Sequence, residues 1–322
     1  MKQIKLKPVQ PSKRIEDKLK KEILTLLQEE FFRPIMLAVG VNKIKVANSM
    51  DDLLSAIKSG QIVYWRGKFS GKYSATLTRE LRRLGAKWDG KQGQWTIPLQ
   101  NLPVEVKNEI YSYRTKTEEK REKLLKSLSR IDPENIAEKL NVNSIFDAMI
   151  HKAESDFKKA TANLTVTPEL NRRQLEFLRQ EYKENLKLSI KDFTTGQILK
   201  LREDVSNLTY AGFRYEDMID DIQKRYGVTV EKATFLARQE NNLAVAKYRQ
   251  TRFQDAGVDK YEWRAVHGSP AHPTRPAHKA LSGKIFQWDK PPVTTEPGQP
   301  QRRNNPGEDY NCRCIAIPVV EF

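Results

Sequence analysis

Soft ligands are scarce in this sequence: 322 residues contain two cysteines and four histidines. So few cysteines argue against a secreted disulfide scaffold and for a reducing compartment. No run reaches the roughly 18 apolar residues that a membrane-crossing helix needs. The opening residues, Met1-Lys2-Gln3-Ile4-Lys5-Leu6-Lys7-Pro8, lack the apolar core of a cleaved secretory leader, so none is expected. Internal repeats are lacking too. There is no His-Glu-x-x-His helix and no acidic pair beside the histidines, which speaks against a hydrolytic metalloenzyme.

The few ligands present are not scattered. His267, His272 and His278 fall within a dozen residues, and Cys312-Arg313-Cys314 follows about 35 residues later. The fourth histidine, His151, sits beside a helical apolar stripe and reads as structural. The ligand-rich stretch is also rich in Gly and Pro, so no helical face can hold it together. A thin, loop-rich module of this kind needs a staple. Zinc held by His267, His272, His278, Cys312 and Cys314 is one candidate, in a structural rather than a catalytic role. Two other readings stay open. The cysteines could be small buried hydrophobes, or a strained disulfide, since residues i and i+2 of a strand lie about 6.6 Å apart.

Hydrophobic spacing gives a mainly helical α+β chain, elongated, with a small N-terminal α+β module and a small β-rich C-terminal module. The divisions expected are 1–59 (basic arm and helices), 60–110 (α+β module), 111–256 (helical body) and 257–322 (Cys/His module). Residues 1–13 read as an extended arm. A first helix over 12–32 is stopped by Pro34, and a short one over 50–58 is capped by Ser49. Residues 62–66 and 94–98 read as strands around a helix over 74–84. Charges alternate along a connecting helix over 112–140, and an apolar stripe marks 144–162. Thr167-Pro168-Glu169 opens the next helix. Further helices fit 194–210, 215–226 and 229–256, the last opened by Thr229 and closed by Gly257. Strands follow at 261–266, 284–288 and 312–319, with Pro318 marking an edge. Between them, 291–309 is a loop too long for a mere connector, expected to be mobile or bound to a partner.

Charge is uneven. Residues 1–130 carry 28 Lys and Arg against 14 Asp and Glu, whereas the remaining 192 carry 29 against 27. The excess points to a polyanion or an acidic protein surface as N-terminal partner. Arg66, Lys68, Lys72, Arg79, Arg82, Arg83, Lys87 and Lys91 surround Trp65, Tyr73, Trp88 and Trp95. Cations beside aromatics suit phosphate neutralisation and base stacking, although aromatics in so small a unit are more often its core, and Trp88 and Trp95 are read first as core. The piece Gly85-Ala86-Lys87-Trp88-Asp89 with Trp95-Thr96-Ile97-Pro98 resembles a small module appended to DNA-handling proteins.

One ordered set of motifs goes further. Ala237-Arg238-Gln239-Glu240-Asn241, Gly257-Val258, Trp263, Arg275-Pro276-Ala277-His278, Gly283, Phe286 and Asn311-Cys312-Arg313-Cys314 resemble the phage Mu F-like minor head protein family over about 190–320. The chain departs from that pattern at Asp309, where a histidine is frequent, and at Ala271, where an aspartate is frequent. A metal's ligand set would then draw on Asp309, His267 or His272. The resemblance implies a structural, non-enzymatic head-morphogenesis protein of the virion, present in the host cytoplasm during assembly. It would lie at the portal vertex or capsid interior in multiple copies. Its partners would be the portal, major capsid or scaffolding proteins and packaged double-stranded DNA, with no membrane. Arg238, Glu240, Arg275 and Arg313 are read as a structural polar network, in which Arg238 and Glu240 form a charge pair or hydrogen-bond the backbone of the strands that follow.

Overall fold

The computed structural model describes residues 3–40, 53–164, 168, 171–211, 215–266 and 273–321. The chain gathers into two units, each built from separated segments: Met1–Thr25, Ala137–Ile190 and Val230–Phe322 form one, and Leu26–Ile136 with Lys191–Thr229 form the other. It is a mainly helical α+β fold, with two antiparallel four-stranded sheets among the described residues.

The first unit holds the sheet β1-β8-β6-β7, made of β1 (Gln3–Lys5), β8 (Ile315–Glu321), β6 (Lys260–Arg264) and β7 (Ile285–Gln287). The expected extended arm is thus a strand in part. In β6 the alternation Tyr261, Trp263 is fully buried, as a half-buried strand requires. Pro318 is not on an edge strand: β8 is flanked by β1 and β6. The proline is tolerated because its polar side faces the very end of the three-residue β1, where only its carbonyl is used, accepting from Leu6 N–H at 2.9 Å.

Helix α9 (Tyr215–Asp255) supplies the packing partner of this sheet. It ends in a left-handed Gly257 (φ 71°), which lets Val258 N–H turn back to the Phe253 carbonyl at 2.8 Å. Trp288 stacks on Phe253 at 6.4 Å, lies 4.5 Å from Tyr261, and donates its indole N–H to Val258 O at 2.9 Å. Helix α7 (Asn143–Thr161) closes the other side of Phe253 through Phe157. There Glu154 pairs with the fully buried Arg252 at 3.1 Å and accepts from Tyr248 Oη.

The helix expected to begin at Thr229 is continuous with the one before it. Thr229 turns its hydroxyl back to Arg225 O at 2.9 Å within α9, so it does not cap. Likewise α8 runs Arg172–Ala211 without a break at 194. Its start is capped by Asn171, whose Oδ1 accepts from Arg173 and Gln174 N–H; Thr167 and Glu169 lie outside the described residues.

Helix α1 (Lys13–Leu27), whose residues up to Thr25 belong to the first unit, leads into a wide π turn, Gln28–Phe32, and then α2 (Arg33–Ala38). Pro34 therefore does not stop the helix. The register slips by one, Arg33 N–H reaching Gln28 O, and the proline falls in the first turn of α2, where no N–H is required. The segment 41–52, including the expected Ser49 cap, lies outside the described residues; α3 is Leu53–Lys58. The sheet β2-β3-β5-β4 consists of β2 (Ile62–Trp65), β3 (Lys68–Gly71), β5 (Gln94–Thr96) and β4 (Lys87–Asp89). Helix α4 (Ala75–Arg83) is capped by Ser74, which accepts from Leu77 N–H at 3.1 Å. Helix α5 (Val104–Arg130) starts earlier than charge alternation suggested, and the short α6 (Pro133–Glu138) follows it. The first turns of α5 continue the core of this module through Val106, Ile110 and Tyr113, beside Phe69, Leu77, Leu81 and Trp95.

Trp288 is 1% exposed and Trp88 is 50% exposed. Trp288→Ala is expected to cost about 3–5 kcal/mol, and Trp88→Ala less than about 1 kcal/mol. Urea unfolding followed by near-ultraviolet circular dichroism measures both.

Candidate metal centre

The cluster forms where three short pieces of the first unit meet. α10 (Pro276–Leu281) brings His278, a tight turn brings Asp309, and the lead-in to β8 brings Cys312 and Cys314. Pro276 presets the first turn of α10, and Glu296 accepts from the unsatisfied Ala277 N–H there at 3.0 Å. His278 is 3% exposed, edge-on to Trp263 at 5.5 Å.

The imidazole is held between two chemistries. Its Nδ1 lies 3.6 Å from Cys312 Sγ and 3.5 Å from Cys314 Sγ, while its Nε2 lies 3.1 Å from Asp309 Oδ2. Asp309 is itself fixed: it accepts from Arg275 Nη1 at 2.5 Å and from Tyr310 N–H at 2.8 Å, with Arg302 at 3.6 Å. Both cysteines are thiols rather than a disulfide. They lie in the turn and lead-in that precede β8, and both sulfurs face His278 Nδ1. Backbone N–H groups of Gly307 and Cys314 each approach Cys312 Sγ at 3.4 Å. Gly307 (φ 97°) is required here: a Cβ would meet the Ala246 side chain at 3.2 Å, and the left-handed φ disfavours any side chain.

Helix α9 sets the position of the turn. Asn242 Nδ2 donates to Cys312 O at 3.0 Å, Gln239 accepts from Asn311 N–H, and Arg249 reaches Pro306 O. The long segment 291–309 is thus not an open loop. Val293 bridges Arg303, Thr294 N–H bonds Arg302 O at 2.9 Å, and Thr294 and Asn305 are buried.

The electrostatics follow the geometry. Hydrogen bonding from Cys314 holds the Cys312 thiol well below its usual range, helped by His278 against the opposing effect of burial. Donation to Cys312, together with burial, pushes Cys314 up. Burial pulls His278 down, but Asp309 and Cys312 outweigh it and raise the ring to about 9. Burial pushes Asp309 up, yet His278 and Arg275 lower it to about 2. Without metal, the Cys312 sulfur and the His278 ring therefore face each other, each favouring the charged form of the other.

His278, Cys312 and Cys314 place their donor atoms within 4.8 Å of one another and are all buried. Two sulfurs and one imidazole nitrogen are a zinc-type donor set. Asp309 is on the ring nitrogen turned away from the sulfurs, so it orients and polarises His278 rather than joining the donors. His267 and His272 lie outside the described residues. His151 is an exposed residue of α7.

The expected polar network is split. Arg275 belongs to the Asp309 cluster. Glu240 faces α8 beside Asn185 and Tyr182, and burial raises its carboxyl. Arg238 and Arg313 line a separate cleft of about 290 Å³ along Cys312 and Cys314. Arg238 and Glu240 form no pair among the described residues, because residues two apart on a helix diverge. Sequence reading passed over Gln239 and Asn242 as site-positioning residues. Their spacing of three, ahead of the basic Arg249, was the signal.

Residues 200–317 match the family model described as Phage Mu protein F like protein. This segment is Mu F-like. It contains His278, Asp309, Cys312 and Cys314, and the whole of α9. A 132-residue stretch is also 30% identical to an uncharacterized protein of Haemophilus influenzae, covering 41% of this chain and 27% of that protein. The chain thus spans about a quarter of that relative. No solved structure matches. The Mu F-like segment does not include β1, yet β1 is hydrogen-bonded to β8 in register.

In metal-free protein the paired His278 stabilises the fold fully below about pH 6.5, and this contribution fades as pH rises through about 9. Asp309 acts oppositely: its contribution is present above about 3.8 and is lost as pH falls through about 2. Chelator-treated protein should lose stability from pH 6.5 to 9, and His278→Gln should flatten that slope in thermal melts.

Proposed function

We propose that this chain is a minor head protein of a tailed phage or prophage that acts structurally in head morphogenesis. Its Mu F-like segment is clamped by zinc on His278, Cys312 and Cys314. The observation that carries this reading is the buried His–Cys–Cys triad with Asp309 behind the imidazole, inside the segment that matches the Mu F-like family. Bound zinc would cross-link α10 to the start of β8 and supply folding free energy, on the order of 10 kcal/mol in zinc-finger peptides. Three donors leave a fourth position on the metal to be filled. The nearest carboxylate, however, is committed to a histidine and an arginine rather than placed as a general base, which favours a staple over a hydrolytic centre. The module would dock at the portal vertex or inside the capsid, against portal, capsid or scaffolding protein, with several copies per virion.

The basic module of the second unit supports contact with packaged DNA. Arg66, Lys72, Arg79, Arg82, Arg83, Lys87 and Lys91 are exposed, and Lys68 is half-buried and donates to Gln92 at 2.6 Å. Trp88 stands half exposed between Tyr73 (5.7 Å) and Trp95 (5.3 Å), with Arg82 over Trp95 and Arg66 over Trp65. Trp95 itself is core. One aromatic is therefore free to stack, and the cations around it suit phosphate contacts.

A rival reading, a metal-dependent nuclease or toxin-like effector delivered with the genome, is favoured by the cleft beside both cysteines. Elemental analysis of purified protein together with nuclease assays separates the two. About one zinc per chain, with no cleavage of DNA or RNA, supports the structural role. Metal-dependent cleavage abolished by His278→Ala overturns it. Zinc at a hundredfold its Kd should stabilise the chain by about 2.7 kcal/mol, an effect absent from Cys312→Ser in chelator-controlled melts. For DNA, the Arg82→Gln, Arg83→Gln, Lys87→Gln triple variant should bind duplex more weakly. Its log Kd–log salt slope should be shallower by up to about 0.9 for each phosphate that the variant leaves unneutralised.

A further inference from the structure

The cleft beside α9 has an unbalanced wall. It is lined by Lys13, Arg238, Arg249 and Arg313, against which Glu16 is the one lining carboxylate among the described residues. Glu16 is already engaged by Lys13 at 2.7 Å. The three guanidinium groups form no ion pair among the described residues, although Glu308 and Cys312 favour the Arg249 charge and Glu16 that of Arg238 at longer range. The segment 267–272, which follows the lining residue Val266, contains no Asp or Glu.

Arg249 is 3% exposed. It spends Nη1 on Val9 O at 3.3 Å and Nη2 on Pro306 O, both neutral acceptors. Its Nε, like that of Arg238, has no partner among the described residues. Burial makes the Arg238 charge less favourable, and the neighbouring Arg313 adds to that. An unpaired cation is costly where it is buried. This applies to Arg249 and in part to the half-buried Arg238, while Arg313 stands exposed at the cleft; an anion bound there would meet all three. A single carboxylate neutralises one charge; a phosphate dianion neutralises two and offers several acceptors in the geometry that guanidinium forks match. At about 290 Å³ the cleft sits at the small end of the roughly 300–1,000 Å³ typical of small-molecule pockets. It has room for a phosphate carrying at most one nucleoside, and a duplex cannot enter.

We propose that this cleft is a phosphate-binding site, taking free phosphate or the phosphate of a mononucleotide, with Arg238, Arg249 and Arg313 as its cationic contacts. The site needs no metal and is separate from the basic module around Trp88. Lys13 and Glu16 from the N-terminal segment complete its rim.

Calorimetric titration of the full chain at low ionic strength with sodium phosphate and with adenosine monophosphate tests it. Both probes, or one of them, should bind saturably at about one per chain, and tighter binding of the nucleotide would identify it as the physiological form. Arg238→Gln and Arg313→Gln should each weaken binding at least tenfold, while Arg130→Gln, far in sequence and exposed, leaves it unchanged. Ligand-free melting of Arg313→Gln should match or exceed that of the parent chain, because repulsion is relieved, whereas a merely structural arginine would lower it. Absence of saturable binding, equal binding by the parent and both cleft variants, or equal affinity for a short oligoglutamate peptide would each overturn the proposal. Zinc content measured on the same samples keeps this outcome distinct from that of the metal site.

Discussion

The small module depends on one imidazole ring that faces two sulfurs on one side and a carboxylate on the other. His278 joins three pieces: a six-residue helix, a tight turn and the approach to a strand. A ring placed this way has its orientation fixed by Asp309, so Nδ1 is delivered to the sulfurs rather than left to rotate. Arg275, Arg302 and the Tyr310 N–H hold the carboxylate in turn. Without metal the same groups form a buried charge-compensated cluster. A metal would take the place of the protons.

Around this point the structure is assembled from distant chain segments. Helix α9 carries the sheet on Phe253 and Trp288, and its polar residues Gln239, Asn242 and Arg249 fix the turn that bears Asp309 and Cys312. The N-terminal strand pairs with β8, and the residues after it border the arginine cleft. A fold element and part of a candidate site thus come from outside the matched segment 200–317.

Much of this was legible in the sequence. Alternation at Tyr261 and Trp263 located β6, and the Gly257 signal ended α9. Of the five residues His267, His272, His278, Cys312 and Cys314 singled out in the sequence, the structure brings His278, Cys312 and Cys314 together, His267 and His272 lying outside the described residues. The misses have physical causes. Pro34 and Thr229 look like helix boundaries, but a π turn and a back-bonded hydroxyl accommodate them. The β2–β3 hairpin turns on Arg66 and Gly67, both with positive φ, and arginine at the first of these gives none of the usual Asn or Asp signal. Pro318 reads as an edge because nothing local announces that β1 is three residues long. The loop 291–309 looks open because its bonds run to its own backbone and to side chains far away in sequence. The pairing of charges depends on such contacts too, which is why Arg238 and Glu240, neighbours in the motif, serve different surfaces.

The proposed role as a head protein joins these observations. A zinc-clamped module would remain folded while docking, and a basic, aromatic-bearing module would meet packaged nucleic acid. The central claim is that His278, Cys312 and Cys314 hold one zinc together. X-ray absorption at the zinc edge on the full chain tests it most directly. The account predicts a first shell with two sulfurs at about 2.3 Å and nitrogen or oxygen at about 2.0–2.1 Å, with only one sulfur remaining in Cys314→Ser. A shell of light atoms alone, or one unchanged by that substitution, would contradict it.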